Sequence, residues 1–151
     1  MATIGDLLPE HLKNEIILDN LKVGAIFRTF EHTTTPPKIK RFIIVGYSST
    51  SVLFATVYIN TEINPFLFNT PELQALHLPI ASFGRDYLDH DSYIDCSQIL
   101  VKKKEDLKAI YEKDLSCHLG YLSEGDFKQI RKTIMETRTI SIKKKKEFGL
   151  F

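Results

Sequence analysis

The sequence predicts a mainly β domain of the α+β class, with a C-terminal helix and short additional helices. Three observations lead there. GAIFRTF, KRFIIVGY and SVLFATVYI, between residues 24 and 59, are β-branched and aromatic runs separated by turn-type segments, as neighbouring strands of one antiparallel sheet are. Ser123-Glu124-Gly125-Asp126 has the form of a capping box with Asp in place of Glu, and Phe127, Ile130 and Ile134 follow at core-facing helical spacing. With 151 residues, 43% hydrophobic and 26% charged, and only 7 Gly and 6 Pro, the chain suits one globular domain and not a disordered or fibrous one.

The elements follow in chain order. Leu7, Leu8, Leu12, Ile16 and Ile17 have a mostly helical spacing and Pro9 sets a start near itself, so residues 1–20 read as an N-terminal helical appendage to a main domain spanning 21–142. Between the first two strands, EHTTTPPKIK (Glu31 to Lys40) carries three threonines and a Pro-Pro. That composition predicts an exposed, partly extended loop, the kind that carries function when a rigid sheet positions it. Ser48-Ser49-Thr50 is short enough for a hairpin. Residues 61–88 read as an irregular insertion interrupted by Pro65, Pro71 and Pro79, with room for one short helix at Pro71. DHDSYIDCSQILV, residues 89–101, reads as a polar turn feeding a strand, with Tyr93, Asp95, Ser97 and Ile99 on one face and Ile94, Cys96, Gln98 and Leu100 on the other. A surface helix with Leu107, Ile110 and Tyr111 on one side comes next. Residues 143–151 read as a basic tail in which Lys143 to Lys146 follow a β-branched run. That segment is an edge strand or a frayed end, and its lysines either meet a nucleic-acid backbone or are simply solvated.

Several classes of function are excluded at this level. The net charge of +1 favours no partner by itself. Cys96 and Cys117 have no close pairing or metal spacing, and no apolar N-terminal segment precedes a cleavage-like site, so a reduced, cytoplasmic protein is expected. No apolar run approaches the roughly 18 residues a membrane span needs. His11, His32, His77, His90 and His118 are scattered without zinc-site spacing, and no glycine-rich phosphate loop occurs, so neither a metal nor another cofactor is expected. His90, Asp91 and Ser92 are adjacent on extended backbone, which does not bring a hydrolase triad together. Cys96 reads as a small buried hydrophobe. Arg28 and Arg41, each at or beside a strand bordering the threonine-rich loop, project towards a common ligand on this reading.

KVGAIFRTF, a loop, RFIIVGY with its leading arginine, a strand ending YINTEI, then DSYIDCSQI and HLGYLSEGDFKQIRKTI occur in that order. Over about residues 22 to 140 this succession resembles the MazF/PemK family of toxin endoribonucleases. The resemblance implies an SH3-like small β-barrel, a homodimer, and metal-independent cutting of single-stranded RNA through attack of a ribose 2′-hydroxyl on the phosphate. It also implies a small antitoxin protein as partner, whose acidic or amphipathic segment occupies the RNA groove. Arg41 falls on the family's catalytic arginine, a group able to hold phosphate bidentately and to stabilise developing charge. Asn60 falls on the family's catalytic threonine, with Thr61 beside it, and a one-residue slip decides which of the two faces the site. Asp95 and Ser97 stand where some members keep an arginine and an aspartate, and Phe42 replaces the proline after the arginine. On this alignment His32 supplies the missing base, while Arg28, Lys38, Lys40, Asp95 and Ser97 contact RNA. Two other classes fit the same residues. One is a non-catalytic SH3-like module binding RNA or protein through the same groove; the other is an interaction subunit using the N-terminal helix and the lysine tail.

Overall fold

The three β-branched runs fold as expected into β1 (Ala25–Glu31), β2 (Lys38–Tyr47) and β3 (Leu53–Asn60). They pair antiparallel, with Ile26 opposite Ile43 and Ile43 opposite Val57. The structure is a computed structural model that describes residues 7–151; the first six residues of the expected N-terminal appendage lie outside the described residues. The sheet is completed by β4 (His77–Ile80), β5 (Ser92–Asp95), β6 (Leu100–Lys103) and β7 (His118–Tyr121). Its order is β4-β5-β3-β2-β1-β7, every pairing is antiparallel, and it curls as a half-barrel. Two strands share the outer edge of β3: β5 pairs with Ile59 and Asn60, and β6 with Leu53 to Thr56.

Helices cover both faces of this sheet, so the middle strands are buried on both sides. Alternation along β2 sends Phe42 and Ile44 into one apolar layer and Ile43 and Val45 into another. The first layer is closed by α1 (Glu10–Asn20), which brings Ile17, and by α3 (Lys104–Lys113), which brings Leu107 and Tyr111. The second is closed by α4 (Glu124–Glu136) and α5 (Ile142–Glu147), with Ile130, Ile134, Phe148 and Leu150. A one-turn helix α2 (Pro71–Gln74), capped by Thr70, stands at the expected proline. Ser123 caps α4 by accepting from the Asp126 N–H, as its capping pattern predicts, while the Asp126 carboxylate holds Arg85 in two bonds of 2.9 Å. Among the described residues no helix is long and apolar enough to cross a membrane.

The structure departs from the sequence expectations at four places. Residues 89–101 do not form one strand. Asp95 ends β5 because its Oδ1 accepts from both the N–H and the hydroxyl of Ser97, at 2.9 and 2.5 Å, a local turn that competes with the ladder. Within the proline-interrupted insertion, His77–Ile80 is an edge strand, where Pro79 costs no ladder bond to a further neighbour. α1 is built into the domain: burial of Ile17 and Leu21 contributes about 1.5–3 kcal/mol each. Nor is the C-terminal run a strand or a frayed end, for it is helical. Lys145 is buried and its Nζ donates to the carbonyls of Met135 and Thr137 at 2.9 and 2.5 Å, a cation where the α4 dipole is negative.

α5 sits directly on β2 at Gly46, where the ladder shifts register. A Cβ there would lie 2.3 Å from the backbone carbonyl oxygen of Phe148. Gly46→Ala therefore has to push α5 off the sheet, and urea unfolding is expected to show a loss of about 1–3 kcal/mol, as overpacking typically costs.

Candidate functional site

Beyond the helices, the open ends of the strands carry polar side chains, and the sheet's alternation sorts them. Lys38 and Lys40 on β2, Tyr58 and Asn60 on β3, Asp95 on β5 and His77 on β4 share the face of the layer containing Phe42. Together with Thr34, Thr35, Thr61, Phe68 and Gln98 they line a cleft of about 620 Å³. Arg28 and Arg41, direct cross-strand partners, leave from the opposite face.

Within the cleft the groups are already coupled. Lys40 Nζ donates to Asn60 Oδ1 and lies 4.8 Å above the Tyr58 ring, a cation–π contact. Burial first, and Lys38 second, hold the Lys40 ammonium below the ordinary lysine range, while Asp95 and Glu31 act in the opposite sense. Burial, then the Glu31 charge, raises the Tyr58 phenol. Further along the same face Glu31 is neutralised by Lys102 at 2.6 Å and accepts from Thr29 at 3.1 Å. The cleft itself presents Lys38 and Lys40, with Arg41 at its rim held by Asp89 at 2.7 Å, and the carboxylates of Asp95 and Glu62, while Glu31 lines a separate cavity.

Asp95 and His77 are paired residues of the β4–β5 ladder, and His77 Nε2 lies 3.8 Å from Asp95 Oδ1. The imidazole is 3% exposed and neither ring nitrogen has a hydrogen-bond partner. Phe68 packs on it edge-on, with ring centroids 4.1 Å apart. Buried polar atoms are nearly always satisfied, so two orphan nitrogens on one ring are exceptional.

Of the residues singled out from sequence, Lys38, Lys40, Arg41, Asn60, Thr61 and Asp95 line this one cleft. Both Asn60, at the end of β3, and Thr61, just past it, reach the wall, so the question of register between them dissolves. Ser97 does not line it. Its side chain is buried and spent on Asp95, because the strand that would have displayed it stops two residues earlier. Nor does His32, which stands against Phe30 and lines a second cavity beside Glu31, Lys102 and α3. Arg28 is exposed on the opposite face. Sequence reasoning missed His77, Tyr58 and Phe68. The available signal for His77 was the short alternating HLPI run, masked by its proline. His90, Asp91 and Ser92 form no triad, since the Asp91 carboxylate turns to the N–H and hydroxyl of Ser82 and the Ser92 hydroxyl donates to the His90 carbonyl. Among the described residues no three of His, Cys, Asp and Glu gather as a metal-binding set. Comparison with protein-family models and with curated proteins finds no match for this chain.

Cys96 lies in the second apolar layer and Cys117 in the first, and burial pushes both thiols up to about 12. A thiol reagent at pH 8 is thus expected to label neither cysteine in the folded chain and both after denaturation; rapid labelling of native Cys96 would contradict its burial.

Proposed function

We propose that the chain is a metal-independent endoribonuclease of the MazF/PemK kind, cutting single-stranded RNA through 2′-hydroxyl attack on the phosphate. The curled sheet is then an SH3-like barrel, and the protein a cytoplasmic homodimer whose cleft a small antitoxin occupies with an acidic segment. One observation carries the reading: six of the nine residues singled out from sequence, Lys38 and Lys40 among them, converge on the lining of a single cleft.

Lys38 and Lys40 neutralise successive phosphates, and bound RNA releases its counterions there. Arg41, which leaves the sheet on the opposite face and borders the cleft at its rim, swings its guanidinium from Asp89 to a phosphate oxygen. That exchange costs little, because Asp89 is 74% exposed and such a surface pair is worth about 0–1 kcal/mol. In the transition state the same guanidinium stabilises the charge that develops on the phosphorane oxygens. Asn60 and Thr61 orient the ribose.

A second reading, a non-catalytic RNA-binding module, is favoured by how fully the polar groups are engaged: Asn60 by Lys40, Asp95 by Ser97 and Gln98. Incubation with a mixed single-stranded RNA pool separates the two. The enzyme is expected to yield defined cuts ending in 2′,3′-cyclic phosphate, abolished by 2′-deoxy substitution at the cut, whereas a binder only shifts mobility. In either case Lys38→Ala and Lys40→Ala are each expected to weaken binding and to flatten the log–log salt slope by about 0.7, and an unchanged slope would place the phosphates elsewhere.

A further inference from the structure

We propose that His77 is the base of the cleft, faced by Asp95 and shielded in the unliganded chain by Phe68; this rests on the ribonuclease reading. A nine-tenths-buried imidazole with neither nitrogen bonded is costly for a fold to keep, and the site explains what it is kept for. Its position is rigid. His77 and Asp95 are ladder partners on two strands, and Asp95 is fixed in turn by Ser97 and by Gln98, whose Nε2 donates at 3.3 Å. At 3.8 Å the Asp95 carboxylate stands across from the imidazole without bonding it in the unliganded chain, and a carboxylate so placed orients a base once the contact closes.

Phe68, whose ring centroid lies 4.1 Å from that of His77, is the cover that moves. It belongs to a turn closed on Asn64, whose carbonyl accepts from the Leu67 and Phe68 N–H groups, and its neighbour Phe66 is 91% exposed. Rotation of the Phe68 side chain uncovers the imidazole without breaking the turn, and a nucleobase entering the cleft offers the flat surface that replaces it. In the reaction the 2′-oxygen bonds to phosphorus as its proton passes to the imidazole, and the bond from phosphorus to the 5′-oxygen breaks. The departing oxygen takes a proton from water, and the imidazolium returns its proton to solvent. The charged and titratable groups around His77 are Asp95 on β5, Lys38 and Lys40 on β2, Tyr58 on β3 and Glu62 just beyond it.

The test is single-turnover cleavage of a single-stranded RNA across pH by the full chain and by His77→Gln, Asp95→Asn, Phe68→Ala and His32→Ala. Thermal unfolding and binding of the uncleavable 2′-deoxy strand are measured alongside. His77→Gln is expected to lower the rate about 10²–10⁴-fold, the usual worth of a positioned base, to leave binding within twofold, and to remove the rise of rate with pH on the acid side. Asp95→Asn keeps an acceptor for Ser97 and is expected to slow cleavage about tenfold and shift that rise; it carries the test should His77→Gln fail to fold. Phe68→Ala and His32→Ala are expected to cleave at least as fast as the parent chain and near its rate, respectively. A folded His77→Gln chain that cleaves with the parental rate and pH profile, or loss of cleavage in His32→Ala alone, overturns the proposal while leaving the ribonuclease reading intact. A parent chain that binds the RNA and never cuts it overturns both.

Discussion

The pairing register of β2 and β3 is the constraint on which everything else rests. Phe42 opposite Tyr58 and Ile43 opposite Val57 send successive cross-strand pairs alternately into two apolar layers, both members of a pair into the same one. Because helices close both layers, a slip of one residue would exchange the two layers and bury the wrong side chains on both faces at once. Sheets with one wet face tolerate more. Here the double coverage fixes the alternation all the way to the strand ends, where it leaves Lys38, Lys40 and Asn60 on one side and Arg41 on the other.

The electrostatics of the cleft follow from where that coverage stops. Lys102 and Glu31 lie beside the helix-covered region and neutralise each other at short range, with Lys102 4.7 Å above the Phe42 ring. Further out, Lys40 is half-buried with only a neutral amide as its direct partner, so its charge is available to an anion. Asp95 could have cancelled it. Instead its carboxylate is turned inward by the Ser97 donors and faces His77. One local turn thus ends a strand and places its acid against an imidazole.

Much of the fold was legible in the sequence and less of the site. Strands with unbroken β-branched runs, and the capped helix at Ser123, could be read because local pattern and tertiary burial agree there. Short elements could not. β4 and β7 have four residues each, and Pro79 or Gly120 inside them imitates a break; both lie at the ends of the sheet, where a strand needs one partner only. The N-terminal helix looked detachable because it precedes the strand runs and the lysine run because of its charge, yet Ile17, Lys145 and Phe148 are each buried. For the site, the family resemblance pointed to Lys38, Lys40 and Asn60, which share one cleft, while strand periodicity bore on residues 93–100. It failed at Ser97, where the Asp95 side chain overrides the extended backbone, and it had no purchase on His77, whose partners come from a different strand and loop.

The central claim is that a single-stranded RNA lies along the face holding Lys38, Lys40, Tyr58, Asn60 and Asp95. An NMR titration of the isotopically labelled chain with a 2′-deoxy single strand measures this most directly. Amide and side-chain shifts are expected to concentrate at Lys38 to Lys40, Tyr58 to Thr61, Phe68, His77 and Asp95. Shifts confined to Arg28 and the opposite face, or to the helix carrying Lys143 to Lys146, would contradict it.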